Sequence, residues 1–435
     1  MANTLTQQSP TALDAQSFRS FQQKRGDPQW LKDLRERAWG RFSKMSWPTP
    51  QEEEWRRTDL SRMALGEFRV PSSQRIGAGE SNRSDPGEPS DYSGSIRFLG
   101  GELAGMNVGP EAKQSGIVLA PLSRSVQNAA LSLRGLIENG HEVSDNRLQA
   151  WHDSLWSYGA YLYVPPGVQV LRSFLIDLTM QGEKTLSVPR VILHLARGAR
   201  AHVILKTKSS SAEAVLCNAG LQIMVEENAS LSLCTLQNLN HSSLFFSHAQ
   251  ARLARDARLQ SFETLFGGQL AKTRLDCRLT GTGSEALLRG LYFGAQGQHF
   301  DIRTVQRHLA PSTNSRSFYK GAVKDKARSI YQGLIEVSPK AAKTDAYLAN
   351  RNLVLNDGAR SDSIPSLKID TNDVRCSHGS TTGKINPDEV FYLMSRGLSR
   401  GQAERLLVLG FFEELLQHAP PEVADKARQL IQERL

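Results

Sequence analysis

The chain has 435 residues, 39% of them hydrophobic and 22% charged, the balance of a folded, water-soluble protein too long for one compact globule. Its longest apolar stretch, Leu406–Phe412, falls far short of the roughly 20 residues that a membrane-spanning helix needs. A formal charge of +9 admits nucleic acid as a partner, but the arginines are dispersed and no Lys/Arg run alternates with aromatics, so a solvated basic surface is the simpler reading.

The segment Met1–Ser9 is polar and has no apolar signal core, which with acidic Asp14 points to the cytoplasm. Residues 16–66 read as helical, with Trp30, Leu31, Leu34, Ala38, Phe42 and Met45 at helical spacing. Trp47-Pro48-Thr49-Pro50 interrupts that pattern and Gln51 to Met63 resumes it. Residues 71–95 are rich in Pro, Gly and Ser and read as a flexible linker. Short strand-like pieces follow at Ser95–Leu99 and Gly116–Leu119, and residues 122–157 look helical again.

From about 160 the texture changes to short apolar runs with polar punctuation. Ala160–Val164, Val191–Leu195, Ala201–Leu205 and Leu231–Leu236 are strand-like. A large residue followed four positions later by Ala or Gly recurs at Tyr163/Gly167, Leu195/Ala199, Val225/Ala229, Leu253/Ala257, Leu279/Gly283, Val337/Ala341 and Leu355/Ala359. The small residues lie 32, 30, 28, 26, 58 and 18 apart. A period near 28, with strands and almost no helix signal, predicts stacked coils sharing one core, a β-solenoid.

The last segment is helical. Asn386-Pro387-Asp388-Glu389 supplies a cap, a first-turn proline and an N3 carboxylate, and Gly397 suits the position after a helix C-terminus. Ser399–Gln402 opens a second helix, with Ala403, Leu406, Leu407, Phe411 and Leu415 as its expected apolar face. Pro420-Pro421 ends it and a third helix follows. The expected division is therefore helices over 1–70, a linker over 71–95, mixed strand and helix over 96–158, a β core over 159–375, and helices over 376–435.

The cysteines Cys217, Cys234, Cys277 and Cys376 contain no C-x-x-C pair, so neither a zinc ribbon nor a ferredoxin motif is present. The first three sit in apolar strand contexts and read as core filling. Arg375-Cys376-Ser377-His378-Gly379 is the densest candidate site: on an extended chain Cys376 and His378 share a face, and both are soft or borderline metal ligands. The competing reading is a junction cysteine beside a hydrogen-bonded histidine. Gly379–Lys384 fails as a phosphate loop, because three residues rather than four separate its glycines and Ile385 follows the lysine. His194 and His202 could form a two-histidine site only if the turn between them allowed it, and His299 and His308 suggest a surface or interface role. The acids Glu226, Glu227, Asp256, Glu263, Asp276 and Asp301 are too scattered to suggest a polysaccharide-cleaving β-helix enzyme, and no nucleophile elbow is present. No catalytic residue is assigned.

Several segments, in order, resemble the shared C-terminal region of the SufB and SufD family. They are Ser317-Phe-Tyr-Lys-Gly321, Thr344-Asp-Ala-Tyr347, Arg351-Asn-Leu-Val-Leu355, Asp373-Val-Arg-Cys-Ser-His-Gly379 and Phe391-Tyr-Leu-Met-Ser-Arg-Gly397. Tyr163-Val-Pro-Pro-Gly167 is also similar to the family's, and Pro50–Leu60, with Trp55 at its centre, resembles the helical motif of the SufD branch. The first cysteine is Cys217, and the absence of N-terminal cysteines favours the SufD branch over SufB.

The resemblance implies a mainly β fold, a right-handed parallel β-helix flanked by N- and C-terminal helical domains. It implies a non-enzymatic SufD-type scaffold for iron–sulfur cluster assembly that pairs with a SufB-like paralogue and binds a SufC-like ATPase, served indirectly by a SufE or SufU sulfur donor. By the same resemblance Cys376 and His378 lie at the SufB interface and hold iron or a nascent cluster transiently. Phe391, Tyr392, Arg396 and Gly397 belong to the SufC-binding surface. A homodimer is possible for the isolated chain, and neither nucleic acid nor membrane is an expected partner. The alternatives are a SufB-like cluster scaffold or a carbohydrate-active β-helix.

Overall fold

The computed structural model describes residues 13–70, 91–128, 133–139 and 146–435; most of the linker expected over 71–95 lies outside them. Strands make up 44% of the described residues and wind into a β-solenoid of about eight turns with helices at both ends. Two ten-stranded sheets form its walls. From Arg190 onward the strands alternate between the sheets and pair in parallel with the neighbouring coils.

The register keeps a one-coil offset of about thirty residues. Arg200 pairs with Ser230, Ser230 with Arg258, Arg258 with Glu285, Glu285 with Asn314, and Asn314 with Asp345. Because strand side chains alternate in direction, one set from each sheet meets inside. Leu193, Leu231, Leu253, Leu259, Leu279, Leu288, Ile302 and Ile335 belong to that continuous inner core.

The turn from one sheet to the other explains the sequence repeat. Gly167, Gly198, Asn228, Asp256, Gly283, Ser312 and Lys343 stack with φ between 56° and 74°, a left-handed conformation that glycine and asparagine tolerate best. Gly198 N–H donates to Glu227 O, Asn228 to Arg255 O, Asp256 to Thr282 O and Ser312 to Ala342 O, so each turn bonds to the next. In three coils the alanine in the repeat follows this residue. The 58-residue gap contains Ser312, which fills the missing turn. Ala359 belongs to the opposite turn, since Arg360 pairs with Arg328 in the other sheet, and this accounts for the short interval of 18.

Parallel sheets are stable when both faces are covered, and here the two outer faces are covered by different helices. Phe18, Phe21, Leu31, Phe42, Trp151 and Trp156 pack on Ile192, Leu216, Leu244, Phe246 and Leu270 of one sheet. Val408, Phe412, Leu415, Val423, Ala427 and Ile431 pack on Ile204, Cys234, Phe262, Leu291 and Phe293 of the other. The N-terminal helices are Ala15–Gln23 and Gln29–Lys44. Between them Asp27 is buried and accepts bonds from Arg25 (3.0 Å) and Arg35 (2.9 Å); burial alone would raise its carboxyl, but the two guanidiniums hold it below the ordinary range.

Several boundaries differ from the sequence reading. Gln51–Met63 is not a resumed α-helix: it forms turns and a 3-10 turn at Leu60–Arg62, because its side chains are committed to the sheet beneath. Glu54 pairs with Arg274 and Arg303, Trp55 lies over the Lys272 ammonium at 4.3 Å, and the Thr58 hydroxyl donates to Asp301. Among the described residues of 122–157 there are three short helices, Leu122–Ser125, Leu133–Asn139 and Arg147–Leu155. Gly94 and Ser95 belong to a strand, Gly94–Leu99, which pairs with Phe174–Met180 and with an unforeseen strand, Glu102–Val108. The β core also runs past residue 375, since its last strand is Val374–Gly383 and the first C-terminal helix begins only at Pro387.

Candidate functional site at the open end of the solenoid

The last strand of each sheet, Arg360–Ile369 and Val374–Gly383, has a neighbour on one side only. Each is a ten-residue strand whose free edge presents unpaired backbone donors and acceptors. Nearly every residue of the two strands is exposed or half-exposed, in contrast to the buried strands one coil earlier.

Cys376 and His378 lie on the second of these strands. Cys376 is in register with Ala346 and His378 with Leu348, two buried members of the inner core. Both side chains therefore continue the inward face, at a separation of about 7 Å along the strand, where no further coil covers them. Cys376 packs on the end of the core and is half-buried. Burial pushes its thiol pKa up, opposed by a hydrogen bond involving the Ala346 backbone. His378 is exposed. Facing them, Ser363, Pro365, Leu367 and Ile369 are in register with Tyr331, Gly333, Ile335 and Val337, and Leu367 and Ile369 are each 38% exposed. This apolar wall was not singled out from sequence, although the alternation from Ser361 to Ile369 carries it.

A thiolate and an imidazole supply two ligands suited to iron or zinc, about half of a tetrahedral shell.

The other candidates sit on the helix Pro387–Ser395 and the turn that follows it. Asn386 caps it by accepting from the Asp388 N–H at 3.0 Å, and Gly397, at φ +95°, follows its end. Phe391 is 73% and Tyr392 56% exposed, with Met394 and, on the next helix, Leu406 also outside. Arg396 stacks on the Tyr392 ring at 5.2 Å. The second helix, Arg400–Leu416, buries Ala403, Val408, Phe412, Leu415 and Leu416, so its inner face is rotated from the expected one and Leu406 points outward.

Elsewhere the structure revises the sequence reading. His194 and His202 stand on strands of different sheets, and His194 pairs with Glu226 at 2.7 Å. His308 is buried inside, between the Thr313 and Ser315 hydroxyls, and His299 lies under Thr58. His308 is therefore no surface residue, whereas His299 stays half-exposed at the contact with the N-terminal segment. Cys217, Cys234 and Cys277 are buried, with thiol pKa values raised by burial. The acids weighed for glycoside cleavage are mostly engaged: Asp276 with Arg307 and Asp301 with Lys272. His152, Asp153 and His248 bring possible ligand atoms within 4.8 Å, but Arg190 stands 3.5 Å from Asp153 and Pro189 O accepts from or abuts His152 Nε2 at 3.1 Å. That guanidinium opposes a cation, and the group reads as a packing knot beneath the Arg147–Leu155 helix.

Comparison with known proteins agrees with the resemblance seen in the motifs. A family model described as "SUF system FeS cluster assembly, SufBD core domain" matches residues 178–411. An iron–sulfur cluster assembly SufBD family protein of Mycobacterium tuberculosis is 30% identical over 302 residues, covering 67% of this chain and 75% of its own length. The Escherichia coli iron–sulfur cluster assembly protein SufD is 35% identical over 225 residues, 52% of this chain and 53% of that one. A SufBD family protein of Staphylococcus aureus is 24% identical over 443 aligned positions, covering 97% and 93%.

Proposed function

Since the chain belongs to the SufBD family of iron–sulfur cluster assembly proteins, with likeness to its SufD members, we propose that it is a non-catalytic scaffold whose open solenoid end docks a SufB-like sister chain. The observation that carries this reading is the uncapped last coil. Two unpaired strand edges, an exposed apolar wall at Leu367 and Ile369, and a thiol and imidazole on one face converge there. A sister solenoid presenting its own free edges would extend both sheets by backbone pairing and complete the ligand shell. Iron or a nascent cluster is then a transient substrate held between the chains by Cys376 and His378. A second copy of this chain meets the same backbone requirement, which makes a homodimer the natural state without the sister.

The exposed Phe391, Tyr392 and Arg396, followed by the turn at Gly397, form the surface proposed for a SufC-like ATPase. These aromatics gain nothing from the protein's own core, and exposed large apolar groups rimmed by charge mark docking sites. The sulfur donor acts on the assembled complex rather than on this chain.

The test is His378→Ala in the complex co-expressed with the sister chain and the ATPase, scored for iron and acid-labile sulfide per complex. The expected outcome is an intact complex with cluster content reduced by an order of magnitude or more, since losing even a group that only supports a metal ligand costs about 10- to 100-fold. Unchanged content in an intact complex would remove the ligand assignment and leave the docking role to be judged separately.

A further inference from the structure

The two free edges at the open end are unequal, and the direction of their backbone groups shows how. In a parallel ladder alternate residues turn both N–H and C=O to one neighbour, and the residues between turn theirs to the other side. Arg360 N–H donates to Ala327 O and Asp370 N–H to Val337 O, with Arg360 in register with Arg328. The even-numbered residues of Arg360–Ile369 therefore face the strand Arg328–Val337, and Ser361, Ser363, Pro365, Leu367 and Ile369 face the free edge. On the other sheet Asp345 N–H donates to Thr313 O. The odd-numbered residues of Thr344–Val354 are thus turned to the coil before, and the even-numbered ones to Val374–Gly383. Since Ala346 is in register with Cys376 and Leu348 with His378, the residues facing the second free edge are Cys376, His378, Ser380 and Thr382. Val374 N–H is already taken by Asn372 O at 3.1 Å.

Those four residues each present an N–H. On the first edge the middle residue of five, Pro365, has none, and its ring stands where the hydrogen would point. The remaining donors are split into two pairs, Ser361 with Ser363 and Leu367 with Ile369. Within the chain the proline breaks no bond, because Ile364 and Ser366 make the bonds to the preceding coil. The gap is felt only by a strand that docks.

Resting on the docking reading above, we propose that Pro365 favours the sister chain over a second copy of this one. Any strand laid along its edge, parallel or antiparallel, sets one carbonyl opposite Pro365 that finds no donor. An acceptor enclosed without a partner weakens docking by roughly tenfold. Symmetry then counts the gaps. Two identical chains related by a twofold axis contribute the same surface, so a self-pair contains this proline twice, whereas a pair with the sister contains it once. Selection comes from a penalty on the wrong pair as well as from contacts with the right one. The same gap keeps a waiting edge from recruiting copies, the use that proline has on exposed edge strands.

The test is Pro365→Ala in the full chain, which restores the amide with little change in bulk. Sedimentation measures the self-dissociation constant, and titration with the sister chain measures the mixed one. Two filled gaps tighten the self-pair about a hundredfold and one tightens the mixed pair about tenfold, so the preference for the sister narrows about tenfold. Ser380→Pro opens a gap in the other edge and weakens the self-pair by about the square of its effect on the mixed pair. An unchanged self-dissociation constant in Pro365→Ala, or a gain with the sister as large as the gain with itself, overturns the proposal. Edge amides separate this failure from that of docking. If Cys376–Thr382 become protected in the complex while Pro365→Ala moves neither constant, the role of the proline falls and docking stands; if those amides stay unprotected, both fall. Should Ser380→Pro fail to fold, Pro365→Ala decides alone.

Discussion

Asp301 is fully buried and holds the N-terminal segment to the solenoid, so its removal has a consequence that can be worked out. Its carboxylate accepts from Lys272 Nζ at 2.6 Å and from the Thr58 hydroxyl at 2.5 Å. Lys272 also donates to Glu54 O at 3.1 Å and sits under the Trp55 ring, and its side chain is 7% exposed. Asp301→Asn leaves that ammonium without its counter-ion, a change worth about 3–5 kcal/mol when one partner of a buried pair is lost. The loss falls on the contact between residues 54–58 and the sheet, so it favours local release of that segment over global unfolding. At 1.4 kcal/mol per decade, the open population rises by roughly a hundred- to a few-thousand-fold. Arg56 and Arg57 lie within the segment, and trypsin reads their opening directly when reclosing is faster than cleavage. The expected result is cleavage after Arg56 or Arg57 accelerated by that factor, with most of the protection restored in the Asp301→Asn, Lys272→Met double variant. Equal cleavage rates in the wild type and Asp301→Asn, or a double variant as labile as the single, would refute the latch.

Three further outcomes follow from the same geometry. Burial depresses His299 and His308 to about 4, so the folded chain keeps them neutral; their contribution is complete above the unfolded value of about 6.5 and is lost as pH falls towards 4, by up to about 3 kcal/mol each. Urea midpoints measured across that window should fall steadily, and His308→Gln should flatten the slope. Gly321→Ala places a Cβ 2.0 Å from the Tyr292 ring and should cost about 1–3 kcal/mol as an overpacked core, read as a lower unfolding midpoint with unchanged circular dichroism at low temperature. Phe391→Ala should change stability by less than about 0.5 kcal/mol, as for an exposed side chain, while abolishing co-purification of the ATPase; retained binding would move that surface elsewhere.

The coil architecture was legible because its physical cause is local. A left-handed turn residue and an inward-facing apolar set recur in every coil, and both leave a period in the sequence. Ser312 and Lys343 escaped that pattern because the requirement is a backbone conformation, which residues other than glycine meet when the stacked hydrogen bonds impose it. Cys376 and His378 were visible as a motif, but their place at an uncovered lumen end depends on which strand comes last, a non-local fact. The Trp55 segment read as helix because its apolar spacing suits one; its backbone follows the sheet instead, as Glu54, Trp55 and Thr58 each answer a partner more than two hundred residues away.

Pairing of the uncapped coil with a sister chain is decided by amide hydrogen exchange, measured on the chain alone and in the assembled complex. Edge-to-edge docking gives strong new protection of the edge amides in Arg360–Ile369 and Val374–Gly383 in the complex, with the buried Arg328–Val337 strand unchanged. If those edges exchange equally fast in both states while protection appears elsewhere on the solenoid, the open end is not the docking surface.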